Sequence, residues 1–165
     1  MKIIGYHGTN RDIKERILKT NFTLSNKNNW FGQGLYLFEQ DYDMAQQWAK
    51  RKYKRSISSV IECEIVVNND NVIDLTDPSS QNNKEFHELR TKQIYELVES
   101  ENLKIQDTFG LDKVIIDLLF DSGIELFKCP SYTYTEEDTI YSLSSRIPNG
   151  IELVIRNLSL IKQKR

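Results

Sequence analysis

The sequence predicts an α+β domain. Alternating, β-branched strand patterns lie toward both ends of the chain, helical periodicities gather in the middle, and no strict strand–helix–strand repeat runs through it. At 165 residues the chain reads as one domain over 1–165. A net charge of −2 gives no global attraction to nucleic acid or to a membrane. No apolar run approaches the roughly 18 residues of a bilayer span. The opening MKIIGYHGTN lacks the apolar core of a signal peptide, so a cytoplasmic location is expected. Cys63 and Cys129 form no CxxC pair and read as buried, reduced thiols, a disulfide being the less favoured reading. Two histidines without clustered ligands argue against a metal site.

Taken in order, KIIGYH (2–7) reads as a short strand. Asn10 suits the cap of a helix over RDIKERILKT, with Ile13, Ile17 and Leu18 on one face. Residues 20–33 are polar and Asn-rich, hence loop, and LYLF (35–38) is the next strand. Asp41 or Asp43 caps a helix that turns Met44, Ala45, Trp48 and Tyr53 inward. SSVIECEIVV (58–67) alternates as a strand, NNDN is a turn, and VIDL is a short strand. Asn82 or Asn83 starts a helix carrying Phe86, Leu89, Leu97 and Val98. DKVIIDLLFDSG forms another, ending at Gly123 as a left-handed cap residue. IELFKC (124–129) and GIELVIRN (150–157) are strands, joined by a Ser/Thr/Tyr-rich loop over 130–149.

Three separated pieces carry chemistry. In 6-YHGT-9 an imidazole sits beside an unencumbered backbone at a strand end, a pair able to hold a hydroxyl and an amide. In 31-FGQGLYL-37 two glycines let the chain bend into a strand, and Tyr36 presents a flat ring on one face. This is neither a wound α/β dinucleotide fingerprint nor a P-loop. In 150-GIELVIRN-157 a single carboxylate, Glu152, interrupts an apolar strand.

This order of His-Gly, Gly-x-Gly-Leu-Tyr and a late strand Glu resembles the ADP-ribosyltransferases of the diphtheria-toxin and poly(ADP-ribose)-polymerase type, the His-Tyr-Glu branch. FGQGLYL, followed by acidic residues and a helix, is the nearest match; YHGT matches the first motif. The stretch over about 68–128 is not covered. The resemblance implies an ADP-ribosyltransferase-like fold, with central split antiparallel or mixed β-sheets flanked by helices, and NAD as substrate. It implies that His7 bonds a ribose hydroxyl, that the Gly8 backbone bonds the carboxamide, and that Tyr36 stacks on nicotinamide. Thr9 and Gly34 complete the motif positions at the cofactor. Glu152 would be the catalytic acid at the nicotinamide-ribose 2′-hydroxyl. Two positions depart from the pattern. Met44 stands where the family places a small hydroxyl residue, and Gln47 where it places a second stacking tyrosine. Either Trp48, beside Gln47, forms that second wall or the wall is missing.

The chemistry explains the residue types. Cleaving nicotinamide from ribose passes through an oxocarbenium-like transition state, and a fixed carboxylate steadies that positive charge. The implied activity is transfer of a single ADP-ribose to a macromolecule, a protein side chain or a nucleic-acid base. Alternatives are a module that binds NAD or ADP-ribose without transfer, an NAD glycohydrolase, and an adaptor with no nucleotide site. The loop 130–149 holds Tyr132, Tyr134, Tyr141 and Arg146 beside Glu136, Glu137 and Asp138. The resemblance implies that this loop faces the acceptor, a protein surface or a single-stranded base; the alternative reading is a mobile polar loop. The run 50-KRKYKR-55 either steers a phosphate backbone or is a solvated helix end. An Asn-, Lys- and Ile-rich chain of this size suits a bacterial effector or defence toxin, with an antitoxin or immunity protein as partner and no membrane.

Overall fold

The computed structural model describes residues 1–26, 29–99 and 108–165, and the side chains of all of these but 97, 108 and 109. Among the described residues the strands are β1 (Lys2–Asn10), β2 (Leu35–Glu39), β3 (Ser58–Val66), β4 (Val72–Asp74), β5 (Leu126–Ser131), β6 (Gly150–Ile155) and β7 (Ile161–Lys164). The α-helices among the described residues are α1 (Arg11–Lys19), α2 (Tyr42–Lys52), α3 (Gln81–Glu99), α4 (Thr108–Asp121) and α5 (Glu136–Tyr141). The protein is α+β, with one mixed sheet in the order β4-β5-β6-β2-β1-β3-β7. Among the described residues only β4 and β5 pair in parallel.

The caps follow the sequence closely. Asn10 accepts a hydrogen bond from Ile13 N at 2.8 Å, and Asp41, not Asp43, accepts from Met44 N at 2.8 Å. Each side chain satisfies a first-turn N–H that has no partner within its helix. At the end of α4, Gly123 takes φ +109 and its N–H donates to Phe120 O, while Ile124 N–H donates to Leu119 O. That pair of bonds is a Schellman closure, as expected for a glycine past a helix end. α3 starts at Gln81. Asn82, expected as a cap, instead accepts from Asp74 N at 3.0 Å and ties the helix to β4.

Several inward-facing expectations shift. Ile17 is buried, but Leu18, Leu89 and Val98 are exposed, and the side chain of Leu97 lies outside the described residues. Lys27 and Asn28, expected in the 20–33 loop, also lie outside them. β1 runs three residues beyond the expected strand, through Asn10, because Gly8, Thr9 and Asn10 continue to pair with β3. β5 is displaced to 126–131 and keeps Pro130 inside it. The loop 130–149 contains α5, and the C-terminal KQK belongs to β7, an edge strand on β3. Cys63 on β3 and Cys129 on β5 stand four strands apart, about 19 Å at ordinary strand spacing. They cannot pair, and burial pushes both thiols up to about 12.

Two layers cover the sheet. Alternation puts Ile3, Ile61, Cys63, Leu37, Leu153 and Ile155 on one face, packed with Ile17 of α1 and Phe22. The other face carries Phe127 and Val154 against Ile115 and Ile116 of α4, and Phe38 and Val60 against Met44 and Ala45 of α2.

The sheet is continuous but opens at one place. β1 and β2 are in register only over Gly5–Glu39 and Tyr6–Phe38. Beyond Tyr6, β1 continues on β3 and β2 continues on β6. The separate sheets of the expected split arrangement are thus replaced by one sheet with a gap at its centre.

Candidate functional site

The gap exposes backbone. Ile4 O accepts from Gln40 N–H at 3.0 Å, so Ile4 directs its polar groups toward β2. Residues two apart in a strand point to the same edge, so Tyr6 and Gly8 do likewise. Tyr6 meets Phe38, whereas the Gly8 N–H and C=O face the opening. Across it, the Tyr36 carbonyl also lacks a strand partner. His7 supplies one: its Nδ1 lies 2.9 Å from Tyr36 O. A carbonyl oxygen only accepts, so Nδ1 carries the proton. Burial lowers the His7 pKa, with Lys52 acting in the same direction and the Tyr36 bond opposing. The ring is therefore neutral at pH 7, and Nε2 is an acceptor suited to a hydroxyl donor.

A cavity of about 280 Å³ occupies the opening. His7, Gly8, Gly34, Tyr36, Phe38, Trp48, Lys52, Trp30 and Glu152 all line it. Residues from opposite ends of the chain meet there because β6 pairs with β2, placing Glu152 opposite Phe38. Tyr36 and Glu152 share the face covered by α2 and α4. His7 belongs to the α1 face and reaches the cavity through the gap.

Of the expected binding residues, Thr9 alone stays out. It is 1% exposed, pairs with Ser59 and does not line the cavity. One residue past Gly8, the alternation turns its side chain into the core under α1. Met44 is also core, packed with Phe38, Ala45 and Val60, and Gln47 is exposed. Trp48 does line the cavity, tilted against His7 with ring centroids 6.5 Å apart.

The Gly-x-Gly turn is pinned on three sides. Gly32 adopts φ +76, a left-handed conformation that favours glycine. The Tyr36 hydroxyl donates to Gly32 O at 2.7 Å, and Arg156 Nε donates to Gln33 O at 2.8 Å. Arg156 also pairs with Asp117 and lies 4.1 Å from the Phe120 ring centroid. Ser25 N–H donates to Gly34 O at 2.9 Å, and Gly34 N–H donates to Ser25 Oγ at 3.2 Å. The Tyr36 ring is thereby held at the cavity wall rather than left to rotate.

Glu152 has competing influences. Burial raises its pKa above 4.5. Ser131 and Trp30 oppose that rise. Trp30 Nε1 donates to Oε2 at 3.2 Å. The buried Ser131 hydroxyl on β5 lies close enough to steady the charge but makes no well-formed hydrogen bond. Replacing Trp30 by Phe removes a donor that favours the ionised form. A carbon-13 titration of the Glu152 carboxyl is expected to show a higher pKa in Trp30→Phe than in the wild type. An unchanged titration would mean that the indole contact is incidental.

Trp30 and Lys52 are among the lining residues the motifs did not single out for this site, with Thr23, Ser25, Asn29 and Phe38. Lys52 is the last residue of α2, inside the basic run, with Nζ 4.6 Å from the Trp48 ring centroid. Its neighbours in that run are engaged with the loop 130–149: Arg51 lies over Tyr134 at 5.6 Å, and Arg55 pairs with Glu136.

Comparisons with known proteins bear on this site only lightly. The chain is similar to "Uncharacterized protein MJ0359" of Methanocaldococcus jannaschii, 26% identical over 124 residues. That alignment covers 70% of this chain and 55% of the relative, so the chain spans about half the relative's length. No protein-family model matches the chain, and no solved structure matches it. Among the described residues, no helix is long and apolar enough to cross a membrane, and no group of three or more His, Cys, Asp or Glu could hold a metal ion.

Proposed function

We propose that the protein is an NAD-dependent mono-ADP-ribosyltransferase of the His-Tyr-Glu kind. The observation that carries this reading is the convergence of His7, Gly8, Tyr36 and a half-buried Glu152 on one cavity in the open seam of the sheet. The neutral His7 ring offers an acceptor to a ribose hydroxyl. The unpaired edge of Gly8 offers a donor and an acceptor, the complement of a carboxamide. Tyr36 offers a ring face to nicotinamide. A cavity of about 280 Å³ falls at the small end of ligand sites and suits the nicotinamide-ribose half, leaving the adenosine half at the mouth.

In this reading Glu152, ionised, accepts a hydrogen bond from the 2′-hydroxyl beside the anomeric carbon. As the glycosidic bond breaks, its electron pair leaves with nicotinamide and positive charge spreads over the ribose. The carboxylate opposes that charge. An acceptor nucleophile then forms the new bond at the anomeric carbon and gives up its proton. The acceptor is a protein side chain or a single-stranded nucleic-acid base. An effector or defence toxin acting in the cytoplasm, countered by an antitoxin or immunity protein, is the corresponding biological role.

The core position of Met44 and the exposure of Gln47 favour a second reading, binding of NAD or ADP-ribose without transfer. Labelled NAD incubated with the protein and a cell lysate separates the two. Label on protein or RNA supports transfer, and free nicotinamide without labelled macromolecule indicates a glycohydrolase. Unchanged NAD, with binding detected by thermal shift, indicates the non-catalytic module.

The Tyr36 ring provides a graded test. Base–aromatic stacking contributes about 1–3 kcal/mol, or roughly five- to 150-fold in affinity. Tyr36→Ala is expected to weaken NAD binding within that range by calorimetry. Tyr36→Phe keeps the ring and loses only the bond to Gly32 O, so its loss should be smaller. Equal losses in the two variants would assign the effect to the turn and not to stacking.

A further inference from the structure

The cavity is electrically lopsided. Glu152 meets Trp30 in one contact of the lining and Lys52 meets Trp48 in another, while His7 joins them, touching the Tyr36 carbonyl on one side and the Trp48 ring on the other. Lys52 is the one Lys or Arg among the described residues that line it. Its Nζ lies 4.6 Å from the Trp48 ring centroid and 5.8 Å from that of Tyr53, and it forms no salt bridge among the described residues. Arg55, three residues on, is drawn instead to Glu136 of the loop 130–149. Ring faces hold the ammonium without neutralising it. The charge is felt inside the site, where it disfavours protonation of His7.

We propose that Lys52 recognises the diphosphate of the dinucleotide and, with Glu152, fixes the direction in which it lies. This rests on the NAD reading above. The charges of the ligand run in the same sense as those of the cavity. The pyridinium ring and the ribose that becomes cationic belong near Glu152, and the dianionic diphosphate belongs near Lys52. A lysine binds phosphate as a point charge, and Trp48 fixes the direction from which that charge approaches. A reversed dinucleotide would set its diphosphate against Glu152 and its cationic ring against Lys52, two like-charge contacts at once. Lys52 is thus a specificity residue: it separates phosphorylated ligands from nicotinamide riboside, which carries the same ring and ribose without phosphate.

The test compares wild type, Lys52→Met and Lys52→Arg by calorimetry with NAD, ADP-ribose and nicotinamide riboside, at low and high salt. Methionine keeps an apolar stem on Trp48, and thermal melting checks that the fold is kept. Lys52→Met is expected to weaken NAD and ADP-ribose by about tenfold, the range of one charged hydrogen bond at an open rim. Nicotinamide riboside binding should stay within about twofold, and Lys52→Arg should recover most of the loss. Salt should weaken NAD binding to the wild type more than to Lys52→Met, because screening acts on an exposed charge. Equal losses for NAD and nicotinamide riboside would overturn the proposal by showing that Lys52 only shapes the pocket. So would unchanged affinities accompanied by weaker capture of a single-stranded RNA, since Lys52 would then face the acceptor. In both cases the NAD reading survives. A wild type that binds none of the three ligands removes that reading, and the role of Lys52 with it.

Discussion

Glu152→Gln is expected to slow nicotinamide release from NAD by about 10²–10³-fold, the scale of losing one preorganised electrostatic contact to a transition state. NAD affinity should stay within roughly threefold. The substitution keeps the shape of the side chain and an oxygen able to accept from a ribose hydroxyl. It removes the negative charge, which matters most when positive charge develops on the ribose. In the proposed mechanism, stacking on Tyr36 and the contacts of His7 and Gly8 would act on ground and transition states alike, so they would remain. Single-turnover kinetics and calorimetry on the same preparation check both halves. Full transferase activity in the Gln variant would remove Glu152 from the mechanism.

The same substitution carries a second, independent expectation. Burial raises the Glu152 pKa above 4.5, so the folded protein holds that proton more tightly than the unfolded chain. The stability this group contributes is present in full below the unfolded value near 4.5 and is lost as pH rises through the raised folded pKa. At pH 7 the ionised carboxylate therefore costs stability that a neutral amide does not. Glu152→Gln should melt higher than wild type at pH 7, by an amount on the order of a few degrees. The gap should narrow as pH falls toward 4.5. A Gln variant that melts lower at neutral pH would mean that Trp30 and Ser131 stabilise the charge more than burial opposes it. A costly carboxylate kept in the wall of the cavity that His7 and Tyr36 also line is the pattern expected of a group retained for chemistry.

What the sequence made legible was mostly local. Asn10 and Asp41 cap their helices because each side chain reaches an N–H three residues on, a relation written within four residues. β3 was readable because its nine residues alternate and lie between clear turns. α5 was missed although its signal was present: Thr135 and Asp138 form a capping box, yet the surrounding Ser, Thr and Tyr residues resemble a loop. β7 was missed because IKQK at a sheet edge buries little, so its hydrophobic pattern is faint. β5 was cut short at Pro130. Its partner β4 ends opposite Lys128, so one edge of β5 is open there and tolerates a residue without an N–H. In the site, the motifs pointed to His7, Gly8, Tyr36 and Glu152, which the fold brings together. The seam that lets them meet was not legible, because it depends on β1 leaving β2 after a single residue step. Trp30 and Lys52 enter that seam from a loop and a helix end, where no periodicity marks them. Thr9 was included as the last residue of the YHGT motif, but its side chain packs into the core and does not line the cavity.

The steepest structural penalty is expected at Gly8. A Cβ added there falls less than 3.0 Å from the backbone carbonyl oxygen of Ala45 and 3.1 Å from the Trp48 ring. A carbonyl in the first half of α2 cannot rotate away without breaking the helix, so the strand and helix must separate. Gly8→Ala should cost about 2–3 kcal/mol or more, the upper range for overpacking, and lower the melting temperature by roughly 5–10 °C. Gly34→Ala is the contrast. Its Cβ meets Val154 Cγ1 at 2.7 Å, the end of a side chain, with the Ile155 carbonyl farther away at 3.3 Å. A valine rotamer change relieves most of that clash, so a smaller loss is expected. The Gly8 change also moves α2, which carries Trp48 and Lys52, away from His7. Ligand affinity should therefore fall in Gly8→Ala even at temperatures where the variant remains folded. If Gly8→Ala melts within a degree of wild type and keeps its affinity, β1 and α2 do not approach this closely. The cavity would then owe its shape to the seam between β1 and β2, and the absence of a side chain at Gly8 would matter for neither fold nor binding.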